Sequence, residues 1–316
     1  MKAAVVRQLG QAPRYQDFEE PAAGEGEVVV KVRAAGLHPI VKAIASGTHY
    51  SSQGEVPLIP GVDGVGTLED GSRVFFGFSR KPYGSMAERT VVRRAMTIPL
   101  PDGIDDVQAA AIANPGMSAW LSIKDRAALA AGETVLILGA TGVAGHLAIQ
   151  VARNLGAKRV IAVGRNVDAL AGQPVDATVG LAQPEDAVRE ALAAEAANGV
   201  DVVIDYLWGR PTELVLEALA KGFHASATRA TRLVEVGESA GKTITLPGAV
   251  LRSIDLTLKG SGFGAVPLDR VLSAIGALFR FAAAGELKVD VEPVPLAEVE
   301  SAWARVEKGR RIVFTP

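Results

Sequence analysis

An alanine and two glycines lie at a spacing that suits phosphate binding. In residues 134–156, TVLILGATGVAGHLAIQVARNLG, the residues Ala140, Gly142 and Gly145 follow a short apolar run. The composition of that run predicts a buried parallel strand, and the apolar spacing from Leu147 onward predicts a helix. The first N–H groups of a helix are unpaired and lie at the positive end of its dipole, and glycine lets a phosphate approach the backbone. We therefore predict a pyrophosphate-binding turn. The residues expected to contact the ligand are Ala140, Thr141, Gly142, Val143 and Ala144.

A second strand is expected where a βαβ unit requires one, over residues 159–163. With it, Ala140, Gly142 and Gly145 match the dinucleotide-binding fingerprint, with alanine at its first position. The alternative interpretation is an ordinary strand-to-helix turn without a ligand, because the chain contains 34 glycines and some will fall at this spacing. The succession of strand, turn, helix and strand favours the dinucleotide site.

The end of the second predicted strand indicates which dinucleotide binds. An NAD site places an acidic residue here to accept hydrogen bonds from the ribose hydroxyls. This chain has Val163, Gly164, Arg165 and Asn166 instead, with no acid. Glycine leaves room for a 2′-phosphate, and the forked guanidinium of Arg165 can bind it with two hydrogen bonds. We therefore predict NADPH, with contacts from Gly164, Arg165 and Asn166. The alternative is that Arg165 is a solvated loop charge.

Composition limits the classes of function. The 316 residues suit two domains, and 48% hydrophobic with 22% charged residues is ordinary for a globular protein. A net charge of −2 and the lack of a basic block do not favour nucleic acid as a partner. The chain has no cysteine, which excludes disulfides, thiolate zinc sites and a cysteine nucleophile. No signal peptide or long apolar run is recognisable, so we expect a cytoplasmic protein with no membrane contact.

The pattern along the chain predicts two kinds of structure. Residues 1 to about 110 contain short valine-rich strands, and the prolines and glycines of 57–66 predict loop and turn. From Asp105 the chain becomes an alanine-rich helix, predicted to break at 114–116 and to resume afterwards. Beyond it, strands alternate with helices. That alternation predicts a parallel sheet covered by helices on both faces.

Eight stretches carry a resemblance to a known family. They are AAGLHPIVKAIASG (34–47), PLIPGVDGVG (57–66), YGSMAE (83–88), NPGMSAW (114–120), GATGVAGHLAIQVARNLGA (139–157), GVDVVID (199–205), LVEVG (233–237) and EVESAWARVEKGRRIV (298–313). In their order and spacing, over essentially its whole length, the chain resembles the medium-chain dehydrogenase/reductase superfamily. Within it, the chain is most similar to the zinc-independent quinone oxidoreductase and enoyl reductase branch.

The resemblance implies an α/β fold in which a Rossmann-type, doubly wound parallel sheet domain is inserted into a GroES-like, β-rich catalytic domain. The expected limits are 1–112 for the N-terminal part of the catalytic domain, 113–260 for the nucleotide-binding domain, and 261–316 for the return segment. The resemblance also implies a homodimer formed by pairing of edge strands, and 253–259, SIDLTLK, is the expected dimer strand.

Further cofactor contacts are implied by the resemblance alone. Asn114 and Ser118 are expected to pass beneath the nicotinamide. Gly237 and Glu238 are expected to meet the ribose at the end of a strand. Gly262 and Phe263 are expected to close over the nicotinamide end.

The chain also departs from the family. Zinc-dependent relatives have a cysteine where this chain has His38, and a histidine where it has Val62, which cannot bind zinc. No metal is therefore expected. In zinc-free relatives asparagine commonly takes the place of His38 and aspartate that of Val41, which is followed here by Lys42. His38 is expected either to hydrogen-bond a substrate carbonyl or to replace the asparagine as a packing residue.

A proton donor is implied by the enoyl reductase relatives, in which a tyrosine follows this segment. Alignment on Pro39 and Gly47 places it at His49, beside Tyr50. An imidazole or a phenol could each supply a proton. The alternative is that both are exposed polar residues in a turn.

These expectations combine into one function. We expect an NADPH-dependent, zinc-independent oxidoreductase that reduces a quinone or an α,β-unsaturated carbonyl by hydride transfer. The alternative is a catalytically silent NADPH-binding family member that acts as a redox sensor or binding module. Reduction of an enoyl thioester is a third possibility, for which the sequence shows no clear basic path.

Overall fold

The computed structural model describes the whole chain apart from residues 50, 51, 53, 222–229, 263 and 306–308. Contacts divide the chain into two units. Unit 1 comprises Met1–Asn114 and Ile275–Pro316, and unit 2 comprises Pro115–Ala274. The sequence-based domain limits, 112 and 260, remain predictions.

The described residues form fifteen strands and eight α-helices. The strands are β1 (Lys2–Val5), β2 (Arg14–Asp17), β3 (Glu27–Gly36), β4 (Asp63–Thr67), β5 (Arg73–Gly77), β6 (Arg89–Arg93), β7 (Thr97–Pro99), β8 (Thr134–Leu138), β9 (Arg159–Gly164), β10 (Ala177–Gly180), β11 (Val202–Asp205), β12 (Thr231–Glu235), β13 (Leu256–Gly260), β14 (Asp290–Pro295) and β15 (Arg310–Thr315). The helices are α1 (Pro39–Ala45), α2 (Asp106–Trp120), α3 (Val143–Asn154), α4 (Glu185–Ala197), α5 (Gly209–Lys221), α6 (Gly248–Ser253), α7 (Leu268–Ala283) and α8 (Val299–Trp303). No helix in the described part of the chain is long and apolar enough to span a membrane.

Unit 2 contains a parallel sheet. Its strand order, over the described residues, is β10, β9, β8, β11, β12, β13, and every neighbouring pair is parallel. The chain therefore proceeds from β8 towards one edge of the sheet and then crosses over to β11. Such a reversal opens a crevice at the carboxyl ends of the central strands, where ligands of doubly wound sheets bind.

The hydrophobic character of the central strands explains their position. All five residues of β8 are buried, and Val160–Val163 of β9 and all of β11 are buried as well. A strand covered by helices on both faces has no solvent side, so its residues need not alternate between apolar and polar. Leu136, Ile161 and Val203 belong to one core cluster with apolar residues of α4 and α5.

Unit 1 is built mainly from antiparallel strands. Its larger sheet has the order β14, β15, β3, β4, β5, β7 among the described residues, and β6 pairs with β3. β14 and β15 are parallel, whereas β15 pairs with β3 in the antiparallel direction, which joins the C-terminal strand to the N-terminal part of the chain. The predicted fold class is confirmed: a parallel Rossmann-type sheet and a separate, mostly antiparallel sheet occur in one α/β chain.

One predicted turn is a strand. The prolines and glycines of residues 57–66 predict a loop. In the structure, however, Asp63–Thr67 form β4, which lies between β3 and β5. A Cβ added to Gly66 would lie 2.4 Å from the Lys31 carbonyl oxygen, and one on Gly64 would lie 2.8 Å from the Ala34 carbonyl oxygen. These glycines therefore permit close approach of β3 and do not mark a turn.

Three other boundaries differ from the predictions. The break expected at 114–116 is absent, because α2 continues through Pro115 to Trp120 and passes into a π-helical turn, Leu121–Arg126. The predicted edge strand at 253–259 begins later, at Leu256, because Ser253 ends α6. The apolar spacing of residues 296–308 predicts a further helix, and within this range the described residues form an α-helix only over Val299–Trp303.

An ion-pair network joins α4 to α5. Glu185 accepts hydrogen bonds from Arg189 and Arg210, and Arg210 also pairs with Glu213 and Glu217. The Arg210 and Arg189 guanidinium groups lower the pKa of Glu185 from 4.5 to about 2. This pKa shift contributes stability above pH 4.5, which is lost as the pH falls towards 2.

Replacing Arg210 with Gln should lower the thermal stability of the protein near neutral pH. The loss should be small, because exposed ion pairs are solvated, and it should shrink in high salt. It should also shrink as the pH falls from 4.5 towards 2, where Glu185 becomes protonated in the wild type. Melting curves of Arg210→Gln and of a control, Arg252→Gln on α6, would test this. An Arg210→Gln effect that is independent of both pH and salt would contradict it.

Candidate cofactor site

The predicted glycine turn connects β8 to α3. Gly139 has a φ of +86°, which glycine adopts without strain, and its N–H and that of Ala140 both donate to the carbonyl oxygen of Val163, at 2.9 and 3.0 Å. Gly142 precedes the first residue of the twelve-residue helix α3, and no side chain caps that helix. The first-turn N–H groups therefore face outward at the positive end of the helix dipole, as an anion site requires.

The glycines of this turn have different roles. A Cβ on Gly145 would lie 2.3 Å from the Gly139 carbonyl oxygen, so glycine is needed there for α3 to pack against the turn. Gly142 is exposed, and a Cβ on it would meet only the Gly139 oxygen, at 3.6 Å. Internal packing therefore does not require glycine at 142. The missing side chain leaves a space directly above the helix N-terminus, which a pyrophosphate fits.

The end of β9 lies beside this turn. A Cβ on Gly164 would lie 2.6 Å from Cγ2 of Thr141, so the Thr141 side chain packs directly against the backbone of Gly164. Glycine at 164 is therefore also needed for the packing of Thr141, and the contact of Gly164 with the cofactor remains a prediction. Arg165 and Asn166 are exposed, and Arg165 forms no ion pair with any other residue that the structure describes. Its guanidinium is available for a phosphate.

The end of β11 lies on the opposite side of β8 from β9. There Tyr206 donates its N–H to the Leu138 carbonyl oxygen at 3.1 Å, and its own carbonyl oxygen accepts a hydrogen bond from Ser239 at 2.9 Å. A Cβ on Gly139 would lie 3.2 Å from the Tyr206 Cβ, and one on Gly237 would lie 3.3 Å from the Tyr206 carbonyl oxygen. The structure therefore brings Gly237 next to the glycine turn. Glu238 follows it and is exposed.

Asp205 holds the turn after β11. Its carboxylate accepts hydrogen bonds from the N–H groups of Leu207 and Trp208, at 2.8 and 2.9 Å, and from the Thr212 hydroxyl at 2.5 Å. Burial raises the pKa of Asp205, and these hydrogen bonds oppose the rise. Burial also raises the pKa of Glu235 at the end of β12, as does the negative charge of Asp205. Asp205 acts here by fixing the backbone of the turn.

The remaining predicted contacts lie on α2 and in the segment after β13. Asn114 and Ser118 are both half-buried on α2, and Gly262 is exposed. Phe263 lies outside the described residues. Arg126, at the end of the π-helical turn, donates to the Gly260 carbonyl oxygen at 2.8 Å and so ties that turn to the segment containing Gly262. The sequence analysis did not select Arg126. Its hydrogen-bond partner, the Gly260 carbonyl, is 134 residues away in the chain, so no local motif includes both.

In unit 1, His38 pairs with an acid that the sequence analysis did not select. The His38 Nε2 lies 3.3 Å from Oδ1 of Asp63, and the imidazole is fully buried. A Cβ on Gly36 would lie 2.5 Å from that nitrogen, so the imidazole packs against a backbone without a side chain. Asp63 is the third residue of the GVD segment, residues 61–63, and follows Val62, which stands where zinc-dependent relatives have a ligand. Its position next to Val62 was the only signal in the sequence that could have identified Asp63. The role of His38 as a substrate contact remains a prediction, and the described structure shows it as an internal residue.

The neighbouring departures from the family have structural partners. Val41 is 1% exposed and belongs to the core cluster that contains Phe314 of β15. The Lys42 ammonium group donates to the Arg305 carbonyl oxygen at 3.0 Å. Both residues therefore connect α1 to the C-terminal part of unit 1, which accounts for them without a catalytic role.

The two proposed proton donors follow α1. His49 is half-buried, and burial lowers its pKa below the usual 6.5. The backbone N–H of His49 donates to the Ala43 carbonyl oxygen at 3.2 Å. Tyr50 lies outside the described residues.

Unit 2 thus fits a dinucleotide in two respects. The uncapped N-terminus of α3 with its open Gly142 suits a pyrophosphate, and the exposed Arg165 suits a further phosphate. Asn114 and Ser118 lie on one helix, and Gly237 and Glu238 follow one strand, so these strand-end and helix positions remain candidate contacts.

Comparison with known proteins agrees with this architecture. A probable NADPH-dependent quinone reductase of Emericella nidulans is 27% identical, over 96% of this chain and 96% of its own length. The quinone oxidoreductase of Thermus thermophilus, solved also in complex with NADPH, is 31% identical, with full coverage of both chains and a TM-score of 0.80. Human quinone oxidoreductase is 30% identical over 65% of this chain and 61% of its own length. No family model matches the chain.

Proposed function

The chain belongs to the quinone oxidoreductase branch of the medium-chain dehydrogenase/reductase superfamily, and from this premise we propose that it uses NADPH to reduce quinones or α,β-unsaturated carbonyls. The observation that carries the proposal is the pairing of an open glycine at the N-terminus of α3 with an exposed arginine at the end of β9. A pyrophosphate and a 2′-phosphate are the groups that such a pair would bind.

The cofactor is NADPH. It is the nucleotide of the Emericella nidulans relative and of the Thermus thermophilus complex. In this chain Gly142, with the first N–H groups of α3, would hold the pyrophosphate, and Arg165 the 2′-phosphate. Gly237 would lie against the ribose. When bound, NADPH supplies a hydride.

The protein has little chemistry left to perform. A quinone or an enone accepts a hydride without a metal, because its conjugation spreads the developing negative charge onto oxygen. The chain must then bind and orient the acceptor, exclude water and supply a proton. We propose that this occurs without zinc, because Val62 stands where zinc-dependent relatives have a histidine ligand.

We propose His49 as a proton donor, with Tyr50 as the other candidate. Burial lowers the pKa of His49, so its imidazolium form declines at a pH below 6.5. Enone reduction that depends on imidazolium should therefore fall as the pH rises through the region below 6.5. Replacement of His49 with Phe should remove that decline and reduce enone turnover, by tenfold or more if general acid catalysis is lost (about 10²–10⁴ in typical cases).

The control for His49→Phe is Tyr50→Phe, followed by the double variant, each assayed across pH with an enone and with a quinone. A quinone can be reduced without a protein proton donor, so its turnover should change less. If both single variants and the double variant retain the wild-type enone rate and pH profile, neither residue donates the proton.

Two acceptors offered in parallel test the proposed function. The purified protein should oxidise NADPH when a benzoquinone or a conjugated enone is present, and the ratio of the two rates identifies the preferred class. Tight NADPH binding with no oxidation across a broad panel of acceptors would contradict the proposal. It would favour a silent NADPH-binding protein that acts as a redox sensor or binding module.

We further propose a homodimer formed through β13. This strand is at the edge of the parallel sheet, and Leu258 on it is 36% exposed, so its unpaired backbone groups are available to a second copy. Light scattering should give twice the chain mass of 32.8 kDa. A proline at Thr257 should shift that mass towards the monomer because proline removes a backbone donor. A wild-type monomer would contradict the proposal.

A further inference from the structure

Phe78 has a backbone conformation that phenylalanine seldom adopts. It is the first residue after β5, and its φ is +57°, in the left-handed region that glycine favours. A bulky residue at such an angle strains the backbone, and residues strained in this way cluster at active sites and ligand-binding sites. Glycine would form this turn with less strain. The local conformation of the chain therefore does not explain a phenyl ring at position 78.

Packing in the protein interior does not explain the ring either. Phe78 is 53% exposed, whereas Phe75 and Phe76 on the preceding strand are 4% and 0% exposed. A ring that leaves this much apolar surface in water contributes less to folding than a buried one. Among the large apolar residues that are exposed in the described part of the chain, Phe78 is the only aromatic one. An exposed aromatic surface of this kind is suited to a ligand.

The loop that carries Phe78 is fixed to two strands. Ser79, the next residue, accepts a hydrogen bond from the hydroxyl of Thr90 on β6 at 3.0 Å. Arg80 follows, and its guanidinium donates to the carboxylate of Glu27 on β3 at 2.5 Å. The backbone that presents the ring is thus restrained before any ligand arrives. Such preorganisation lowers the entropic cost of binding.

The backbone of Phe78 connects it to the candidate residues of unit 1. Its N–H donates to the Val62 carbonyl oxygen at 3.1 Å. The residue after Val62 is Asp63, which lies 3.3 Å from the imidazole of His38, directly before α1. The proposed proton donor His49 follows the same helix. Phe78 is therefore next to the segment of unit 1 to which the proposed function assigns the acceptor.

The chemistry of an aromatic ring indicates which acceptors would use it. Aromatic rings pack against other flat rings in offset or edge-to-face arrangements, and these contacts stabilise a complex beyond the apolar area that they bury. A quinone is a flat conjugated ring, whereas an open-chain enone has no ring. The two acceptor classes of the proposed function therefore differ in the contact that they could make with Phe78.

We infer that Phe78 is a specificity-determining residue that packs against the ring of a quinone and favours ring-bearing acceptors over open-chain enones. The inference rests on the proposed reduction of conjugated acceptors and adds a residue that selects among them. The strained backbone at position 78 is maintained because it presents the ring to the acceptor.

The test compares two acceptors in steady-state kinetics of the full-length protein at saturating NADPH. One is a naphthoquinone, and the other is methyl vinyl ketone, an open-chain enone. Phe78→Ala should raise the KM for the naphthoquinone by about threefold to tenfold, as expected for one lost aromatic contact. Its KM for methyl vinyl ketone and its Kd for NADPH should stay at the wild-type values. Phe78→Tyr keeps the ring and should retain the wild-type preference.

Two further variants separate the role of the ring from general effects. Leu251→Ala on α6 is the matched control, because Leu251 is a large apolar residue with a similar exposure of 51%, and it should leave both KM values unchanged. Phe78→Gly tests the strain. Glycine adopts a positive φ without cost, so this variant should melt at a higher temperature than Phe78→Ala and show the same selective rise in KM. If Phe78→Ala does not fold, Phe78→Gly provides the comparison.

An unchanged KM for the naphthoquinone, or an equal rise for both acceptors, would overturn the inference. So would a Phe78→Gly variant that melts below Phe78→Ala, or wild-type turnover with methyl vinyl ketone alone. A wild-type protein that oxidises NADPH with neither acceptor would overturn the proposed function and this inference with it. Normal wild-type turnover with an unaffected Phe78→Ala variant would overturn this inference alone.

Discussion

The Gly142→Ala variant is expected to fold normally and to lose most of its affinity for NADPH, by about tenfold or more. Its added methyl group would meet only the Gly139 oxygen, at 3.6 Å, so the protein itself accommodates it. The methyl group would instead occupy the space above the first N–H groups of α3, where a pyrophosphate must approach closely. Each weakened charge-assisted hydrogen bond costs about 1.5–3 kcal/mol.

Gly145→Ala is the matched variant because it adds the same methyl group three residues later. Here the Cβ would lie 2.3 Å from the Gly139 oxygen and 2.5 Å from the Ala140 Cα, so α3 must move away from the turn. Overpacking of this kind costs about 1–3 kcal/mol, and we expect a clear fall in melting temperature. Melting curves and NADPH titrations of both variants would separate the two effects. A Gly142→Ala variant that binds NADPH like the wild type would contradict the assignment of this turn.

The Arg165→Ala variant should reduce the preference for NADPH over NADH by about tenfold to a hundredfold, which corresponds to the loss of charge-assisted hydrogen bonds to one phosphate. The guanidinium is exposed and forms no ion pair within the described chain, so its removal should leave stability unchanged. The affinity for NADH, which lacks the 2′-phosphate, should change little.

Dissociation constants for both nucleotides, measured on wild type and Arg165→Ala, test this expectation. Arg252→Ala on α6 is a suitable control, because it removes an exposed arginine from the same unit. The preference of that variant should equal that of the wild type. An unchanged ratio in Arg165→Ala would show that another group selects the phosphate.

Local patterns predicted the nucleotide-binding half of the chain well. A run of buried residues, a glycine turn and an amphipathic helix are determined by neighbours in sequence, so β8, the turn and α3 occur where the sequence placed them. The same holds for the family resemblance and the fold class, both of which are confirmed. Glycine was ambiguous, because Gly64 and Gly66 read as turn residues and in fact lie in a strand against the backbone of β3.

Features that depend on long-range packing could not be predicted in this way. Asp63 meets His38 across 25 residues of sequence, and Arg126 meets the Gly260 carbonyl across 134. Neither contact produces a periodic pattern in the sequence around its residues, so local patterns could not reveal it. The packing of Thr141 against Gly164 could not be predicted either, since the two residues lie in different elements.

The central claim is that this chain transfers a hydride from bound NADPH to a conjugated acceptor. The most direct measurement uses NADPH labelled with deuterium at one or the other of its two C4 positions, with a quinone or enone as acceptor. A cofactor held in one orientation presents one face, so we predict that the NADP⁺ formed from one labelled cofactor has lost its deuterium, whereas the NADP⁺ formed from the other has retained it. Equal loss of deuterium from both labelled forms would contradict an enzyme that binds NADPH as described.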